Sequence, residues 1–385
     1  MSAPPQVKAQ PVQKSSKPPR LREARFDDYA QAAALARKFD LDTEEYPAWT
    51  NLWTDNPAYQ EIHGKVPMGW VLETAEGAIA GYLGNIPLIY ELEGRSLLAA
   101  TTRSWVVDSA YRSYSLLLVG TFFQQPNVDL FLPTSVNSQS AMPLSVFQCA
   151  RVPVGDWDRT LFWISKPQGF AESYFKKKGW VGPRALSYPL AFGISLRDYL
   201  RGSRFRGCGR DVAVGSSSDF DDRFDAFWLA LRQVKSGILL GVRNRDALKW
   251  HFKFALLRGE AWIYTVEDHG NLVAYGVFLR QDRGLVGLKR VCLADFQCVD
   301  HRNAQGILLA ILREAYDRCR RESIHMLELV GVTPFLEKAT ASASPHQRQL
   351  PAWMYYYKTN DRVLSAKLQN ASLWEPSIFD GDSSL

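Results

Sequence analysis

Carboxylates, tyrosines and one arginine are the residues of this chain whose placement suggests chemistry. Asp295 sits amid apolar residues of a strand-like run that begins at Leu288, and Asp300 ends that run. A carboxylate inside such a strand can act as a general base where it faces a cleft; otherwise it is held by a partner or lies at an edge. Tyr355, Tyr356 and Tyr357 follow one another on a late strand. Alternate side chains of a strand face opposite ways, so one or two of them can reach a cleft; ordinary strand aromatics give the same pattern. Arg112 lies in a polar loop, Ser109 to Ser115, between a strand-like run from Leu97 to Val107 that stops at Asp108 and an apolar helical pattern from Leu116 to Phe123. A helix N-terminus beside a strand end leaves backbone N–H donors for an anionic group.

Other chemistries lack their residues. His251, His301 and His346 are spread out, with no H-E-x-x-H pattern, and there is no G-x-S-x-G or phosphate-binding P-loop. The five cysteines, Cys149, Cys208, Cys292, Cys298 and Cys319, form no C-x-x-C pair, so reduced core thiols in a cytoplasm are expected and no metal site. Asp380-Gly381-Asp382 offers a cation only two carboxylates.

The elements that must position these residues come in a repeated order. A short strand starts at Leu21, and Asp27-Asp28 cap a helix through Ala32, Leu35, Ala36 and Phe39. A hairpin around Glu76-Gly77 precedes the Leu97–Val107 strand, the Arg112 loop, the apolar helix, a strand from Val128 to Leu132 and a helix opened by Asn137. After Arg210 the order starts again. Asp211 to Val214 is a short strand, Ser218 to Asp222 cap a helix, and a hairpin turns at His269-Gly270-Asn271. The strand ending at Asp300 then leads through a loop with Arg302 to a helix whose Leu308, Ile311, Leu312 and Ala315 form one apolar stripe, and on to a strand from Met326 to Val330. An internal repeat of this size implies two similar domains in tandem. The boundaries expected are a disordered basic tail at 1–20, a first domain at 21–167, a connecting segment at 168–210 and a second domain at 211–385. The connecting segment, with Lys176-Lys177-Lys178 and a run of arginines, reads as solvated charge between domains rather than a nucleic-acid patch.

At 385 residues the chain exceeds the usual size of one core, and 46% hydrophobic residues suffice for two. The net charge of +6 is compatible with polyanionic ligands without selecting one. No apolar run approaches the ~18 residues that span a bilayer, and the first residues have no apolar stretch of a secretory signal.

The order and residue types resemble the core of the GNAT acyltransferase superfamily, in which the fourth strand leads into a loop of pattern R/Q-x-x-G-x-G/A. Arg112 matches the first position of that loop, while Ser115 and Leu117 stand where the family has a glycine and a small residue. In the second copy Gln305-Gly306 brings a glycine one place late. The segment from Trp374 to Asp382 looks like the ending of bacterial tandem members of unassigned substrate. The resemblance implies an α+β fold of two GNAT-like domains, each a mixed, mostly antiparallel sheet flanked by helices. It implies transfer of an acyl group, acetyl by default, from acyl-CoA to an amine of a small molecule, sugar or peptide, without a metal or a specific nucleic acid.

By the same resemblance Val106, Val107 and Asp108 bind the pantetheine arm, and Arg112, Ser113, Tyr114 and Ser115 the pyrophosphate. Asn137 matches the polar residue that opens the family's next helix, or is a structural cap. No Tyr lies between Asn137 and Arg151 to protonate the thiolate, so either the first copy uses another acid or it does not catalyse; Tyr356 on the late strand is a candidate catalytic residue, and Asp300 or Asp295 a candidate base. Two alternatives remain: a donor carried on acyl-carrier protein or aminoacyl-tRNA, and a binding module that keeps the fold without catalysis.

Overall fold

The computed structural model describes residues 17–62, 64–136, 138–180, 184–201, 205 and 212–385. Residues 1–16 of the expected 1–20 tail, Asn137, Cys208, Asp211 and the arginines at 204, 206 and 210 lie outside the described residues, while Arg20 of that tail opens the first strand.

In chain order the first half has β1 (Arg20–Glu23), α1 (Tyr29–Lys38), α2 (Tyr46–Thr54), α3 (Pro57–Glu61), β2 (Gly69–Glu73), β3 (Ile79–Leu92), β4 (Arg95–Val107), α4 (Ser115–Phe123), β5 (Leu130–Phe131), α5 (Ser138–Val146), β6 (Ala150–Arg151) and β7 (Asp156–Ile164). Two further helices, α6 (Pro167–Lys177) and α7 (Ser187–Leu200), occupy the expected connecting segment. The second half has β8 (Gly215–Ser217), α8 (Arg223–Val234), β9 (Leu240–Gly241), α9 (Arg245–Leu257), β10 (Ala261–Asp268), β11 (Asn271–Arg280), β12 (Arg290–Cys298), α10 (Ala304–Arg321), β13 (Met326–Val332), α11 (Pro334–Thr340), β14 (His346–Gln349), β15 (Tyr356–Tyr357) and α12 (Arg362–Leu368).

The first sheet runs β1-β2-β3-β4-β5, antiparallel until the parallel β4–β5 pair. The second runs β14-β7-β13-β12-β11-β10-β8, with β12–β13 its one parallel pair. Strand β7 belongs to the first half yet pairs with β13 on one side and β14 on the other. The converse holds for the strand around Tyr356. Its Lys358 exchanges two backbone hydrogen bonds with Phe131 (2.8 and 2.9 Å), and β15 pairs with β6. The second sheet therefore takes β7 from the first half, inserted between two of its own strands, while the two-stranded β6–β15 pair joins the edge of the first sheet through the Phe131–Lys358 bridge. Strand β9 adds another link by pairing with Tyr90 and Glu91 of β3.

The cores follow from the pattern. On α10 the predicted stripe of Leu308, Ile311, Leu312 and Ala315 is fully buried against the second sheet. On the opposite face Phe224, Phe227 and Phe252 of α8 and α9 pack on Tyr275 and Val277. The first sheet is covered by α1 through Ala32 and Leu35, by α2 through Trp49 and Trp53, and by α4 through Leu118 and Phe122. A junction core of Tyr90, Trp157, Leu239, Tyr355 and Trp374 draws on both halves.

Candidate active site

Both parallel pairs come apart. In the first sheet β4 and β5 pair only at Ala99 and Ala100, and the last bonds between them run from Leu132 N–H to Ala100 C=O (2.8 Å) and from the Thr101 hydroxyl to Leu132 C=O (2.7 Å). Beyond that point the chain after β5 turns to the inserted strand, with Tyr356 N–H donating to Pro133 C=O at 2.9 Å. Strand β4 stays paired with β3 as far as Val107, so among the described residues its other edge from Thr102 onward has no strand partner. A bulge falls in this stretch, where Ser104 takes a φ of 55°. The second sheet repeats the device. Strands β12 and β13 pair over Arg290–Cys292 and separate from Leu293, and the β11 register slips by one at Ala294.

The segment 374–385 threads both splays. Phe379 N–H donates to the carbonyl of the bulge residue Ala294 at 3.0 Å. Three residues on, the segment reaches the first splay: Asp382 accepts the hydroxyls of Thr134 (2.7 Å) and Ser135 (2.8 Å), and its carbonyl accepts Arg103 Nη1 at 2.7 Å. Arg103 also pairs with Glu44 and donates to Leu385 C=O. Burial works against the Arg103 charge, but Glu44 and Asp382 hold its pKa above the usual value. Gly381 has a φ of +97°, and a Cβ there would lie 2.1 Å from Thr134 Oγ1. The Asp-Gly-Asp triplet is therefore a sharp crossing between two sites, a role its sequence signal as a weak cation motif did not suggest.

Between the splays lies a buried ionic cluster. Arg243 is fully buried and reaches Asp295 through Nε at 2.9 Å, Asp380 through Nη2 at 3.1 Å and the Gly241 carbonyl through Nη1 at 2.8 Å. Its guanidinium carbon stands 4.5 Å from the centre of the Phe379 ring. Asp295 also accepts the hydroxyls of Tyr275 (2.7 Å) and Ser377 (2.8 Å), while Tyr90 donates to Asp380 at 3.0 Å. Burial alone would raise the Asp295 pKa; Arg243 overrides it and the net shift is downward. Asp380 goes the other way, raised by burial and by Asp295 despite Arg243. The partner-held reading of Asp295 is thus the one the geometry meets, since an anion held by one cation and two hydroxyls is a poor proton acceptor.

The other expected site residues are dispersed. Val106 is buried under α1 and α2, and Val107 packs toward α4. Asp108 accepts Ala110 N–H (3.1 Å) and binds Lys38 (2.6 Å), the interaction that lowers its pKa most. Residues 109–114 form a 3₁₀ turn leading into α4. Arg112 and Ser113 are exposed there, Tyr114 and Ser115 half-buried, and among the described residues Arg112 has no carboxylate partner. Asp300 stands in the corresponding second-copy loop, but its carboxylate accepts the N–H groups of Arg302 (3.0 Å) and Asn303 (3.4 Å). It fills the place an incoming anion would take at α10. Tyr356 lies in the β6–β15 pair opposite Arg151, at the edge of the first sheet, and its ring packs with the core under α4. It is not brought to Asp295 or Asp300. The alternation places Tyr355 instead beside Tyr90 and Asp380, its hydroxyl pKa raised first by burial.

A cavity of about 360 Å³ opens in the second splay. Leu293, Phe296, Leu329, Trp374 and Ile378 make its walls apolar, and Lys235, bound to Gln297 (3.1 Å) and to Glu375, supplies polar groups.

No family model matches this chain, and no curated protein matches it. Solved structures do. N-myristoyltransferase of Saccharomyces cerevisiae, with bound myristoyl-CoA, superposes with a TM-score of 0.56 at 11% identity, over 93% of this chain and 84% of that one. A GCN5-related N-acetyltransferase of Anabaena variabilis gives 0.51 at 10% identity, over 89% and 73%. A protein of unknown function from Enterococcus faecalis, described as a probable N-acyltransferase, gives 0.53 at 8% identity, over 88% and 72%. The chain has the GNAT acyltransferase fold: mixed α+β, with two splayed sheets in one chain.

Proposed function

We propose that the protein is an N-acyltransferase that takes its acyl group from acyl-CoA and passes it to an amine of a small molecule, sugar or peptide. The observation that carries this reading is the open edge of β4. The strand loses β5 after Ala100, keeps β3 up to Val107, and leads directly to Arg112. A pantetheine arm hydrogen-bonds to such an edge as an added strand would. Arg112, Ser113, Tyr114 and Ser115 offer the pyrophosphate a guanidinium and hydroxyls. The side chains of Ser115 and Leu117 close off some backbone, so charge and hydroxyls take the larger share. The thioester supplies an activated carbonyl; the chain's residues position it and receive the amine proton. Asp382 is the carboxylate at the first splay. Its cation is looser than that of Asp295, Arg103 standing 3.7 Å away and shared with Glu44, and through the exposed Ser135 it has a route to solvent; we assign it the amine proton, while the leaving CoA thiolate takes a proton from solvent. The second cleft takes the acceptor, because Asp300 satisfies two amides of its loop, those of Arg302 and Asn303, where Asp108 takes only that of Ala110.

Calorimetric titration with acetyl-CoA and myristoyl-CoA tests the reading. One donor molecule should bind per chain, and Arg112→Glu should weaken binding at least about tenfold. Two donors per chain would sink the division of the clefts, and no binding by folded protein would sink the acyl-CoA reading. Asp382→Asn should lower kcat while donor affinity stays unchanged; normal kcat in a folded variant removes Asp382 from the proton path.

A further inference from the structure

Helices α6 and α7 carry features that acyl transfer does not use. On α7 the exposed residues Tyr188, Phe192, Leu196 and Tyr199 recur at helical spacing, with Pro189, Gly193 and Leu200 beside them. Phe192 is 69% exposed and Leu200 72%. The opposite face is anchored. Asp198 is buried and accepts His346 Nε2 at 2.8 Å and Arg197 at 2.7 Å, and Ala191 packs inward. After α6, Trp180 is 61% exposed and stacks on Phe175. Leu285 is fully exposed on a turn that Ser173 of α6 ties down by donating to Gly287 C=O at 3.1 Å. Large apolar side chains exposed together along one helix face mark an interaction site.

The charge of the chain is concentrated in the same stretch of sequence. Between Lys166 and Arg210 the sequence has ten lysines and arginines against two acids, Glu172 and Asp198, so this stretch exceeds by itself the +6 of the whole chain. Asp198 is buried, whereas Lys176, Lys177, Lys178 and Arg201 are exposed.

We propose that the α6–α7 hairpin docks the protein on an anionic lipid bilayer, with the aromatic and leucine face of α7 in the headgroup layer and the lysines on lipid phosphates. Exposed aromatic and aliphatic residues on one helix face beside clustered lysines are the composition of an interfacial helix. A second copy of the chain would bring like charge against like. A nucleic acid would use the lysines and aromatic rings but gains little from Leu196 and Leu200. No helix among the described residues is long and apolar enough to cross a membrane, and this docking requires none.

Vesicle co-sedimentation with the full chain tests this. Mixed phosphatidylglycerol–phosphatidylcholine vesicles should retain the protein, phosphatidylcholine alone should retain much less, and salt should weaken binding. Phe192→Ser with Leu196→Ser should lower the partition coefficient at least about tenfold. Lys177→Glu with Lys178→Glu should abolish the preference for the anionic vesicles. All four positions are exposed, and an unchanged thermal transition verifies that the variants fold. Retention on neither vesicle overturns the proposal, as does wild-type binding by the serine variant. Binding to single-stranded RNA in place of vesicles also overturns it.

Discussion

Arg243 brings one positive charge into a space that holds two carboxylates, all three out of water. Removing one partner of such a cluster leaves an uncompensated buried charge, which typically costs about 3–5 kcal/mol. Next to it His251 donates from Nε2 to Ser384 Oγ at 2.7 Å, because that hydroxyl already donates to Ile378 C=O. Its Nδ1 is buried without a partner. Burial, the dominant cause, lowers its pKa to about 3. The unfolded chain protonates this imidazole near about 6.5. Between these values the unfolded state binds a proton that the folded state refuses, so stability falls as pH falls, by up to about 1.4 kcal/mol per unit. Asp295 adds to the trend lower down. Its pKa is lowered in the fold, so its contribution is present above the unfolded carboxylate value and lost as pH drops through the folded one. Asp380, raised in the fold, favours the folded state in acid and loses that contribution as pH rises through its folded value. Urea unfolding at about pH 7 and about pH 5.5 isolates the histidine. Wild type should lose more stability than His251→Gln, whose amide keeps the bond to Ser384. Equal losses would show that His251 is not the titrating group.

At the scale of elements, much of the chain could be read in advance because the signal was local. The α10 stripe, the His269-Gly270 hairpin and the strand–loop–helix order each depend on residues a few places apart. The β4 and β12 bulges had no such signal, since a bulge is a misfit between two strands. The two loops after these strands looked alike in sequence, each with a carboxylate and an arginine. Both carboxylates accept the amide two residues on, but Asp108 also pairs with Lys38, whereas Asp300 accepts a second amide, that of Asn303. That choice depends on α1, which is some 70 residues away from Asp108. Tyrosine alternation on the late strand was legible, but the sheet it joins was not, and so Tyr355 rather than Tyr356 stands at the ionic cluster. The Asp-Gly-Asp segment was missed for the same reason. Its partners Arg243 and Thr134 are more than a hundred residues away.

For the whole molecule the decisive feature is the exchange of strands. Strand β7 lies in the interior of the second sheet, its Leu161, Trp163 and Ile164 buried. Without it, β13 and β14 would each lose a neighbour and expose edges that promote aggregation. The strand around Tyr356 has the same relation to β5 and β6, and segment 374–385 ties both splays together. Neither half owns a complete sheet. The halves should therefore unfold as one cooperative unit, although the sequence repeat invites the picture of two separable domains. Residues 212–385 produced alone should show no cooperative urea transition, and co-production with 17–210 should restore a single one, seen together by circular dichroism and tryptophan fluorescence. A sharp transition in the isolated fragment would mean that the second sheet closes without β7, and the exchange would then be a late docking step rather than the frame on which both clefts are built.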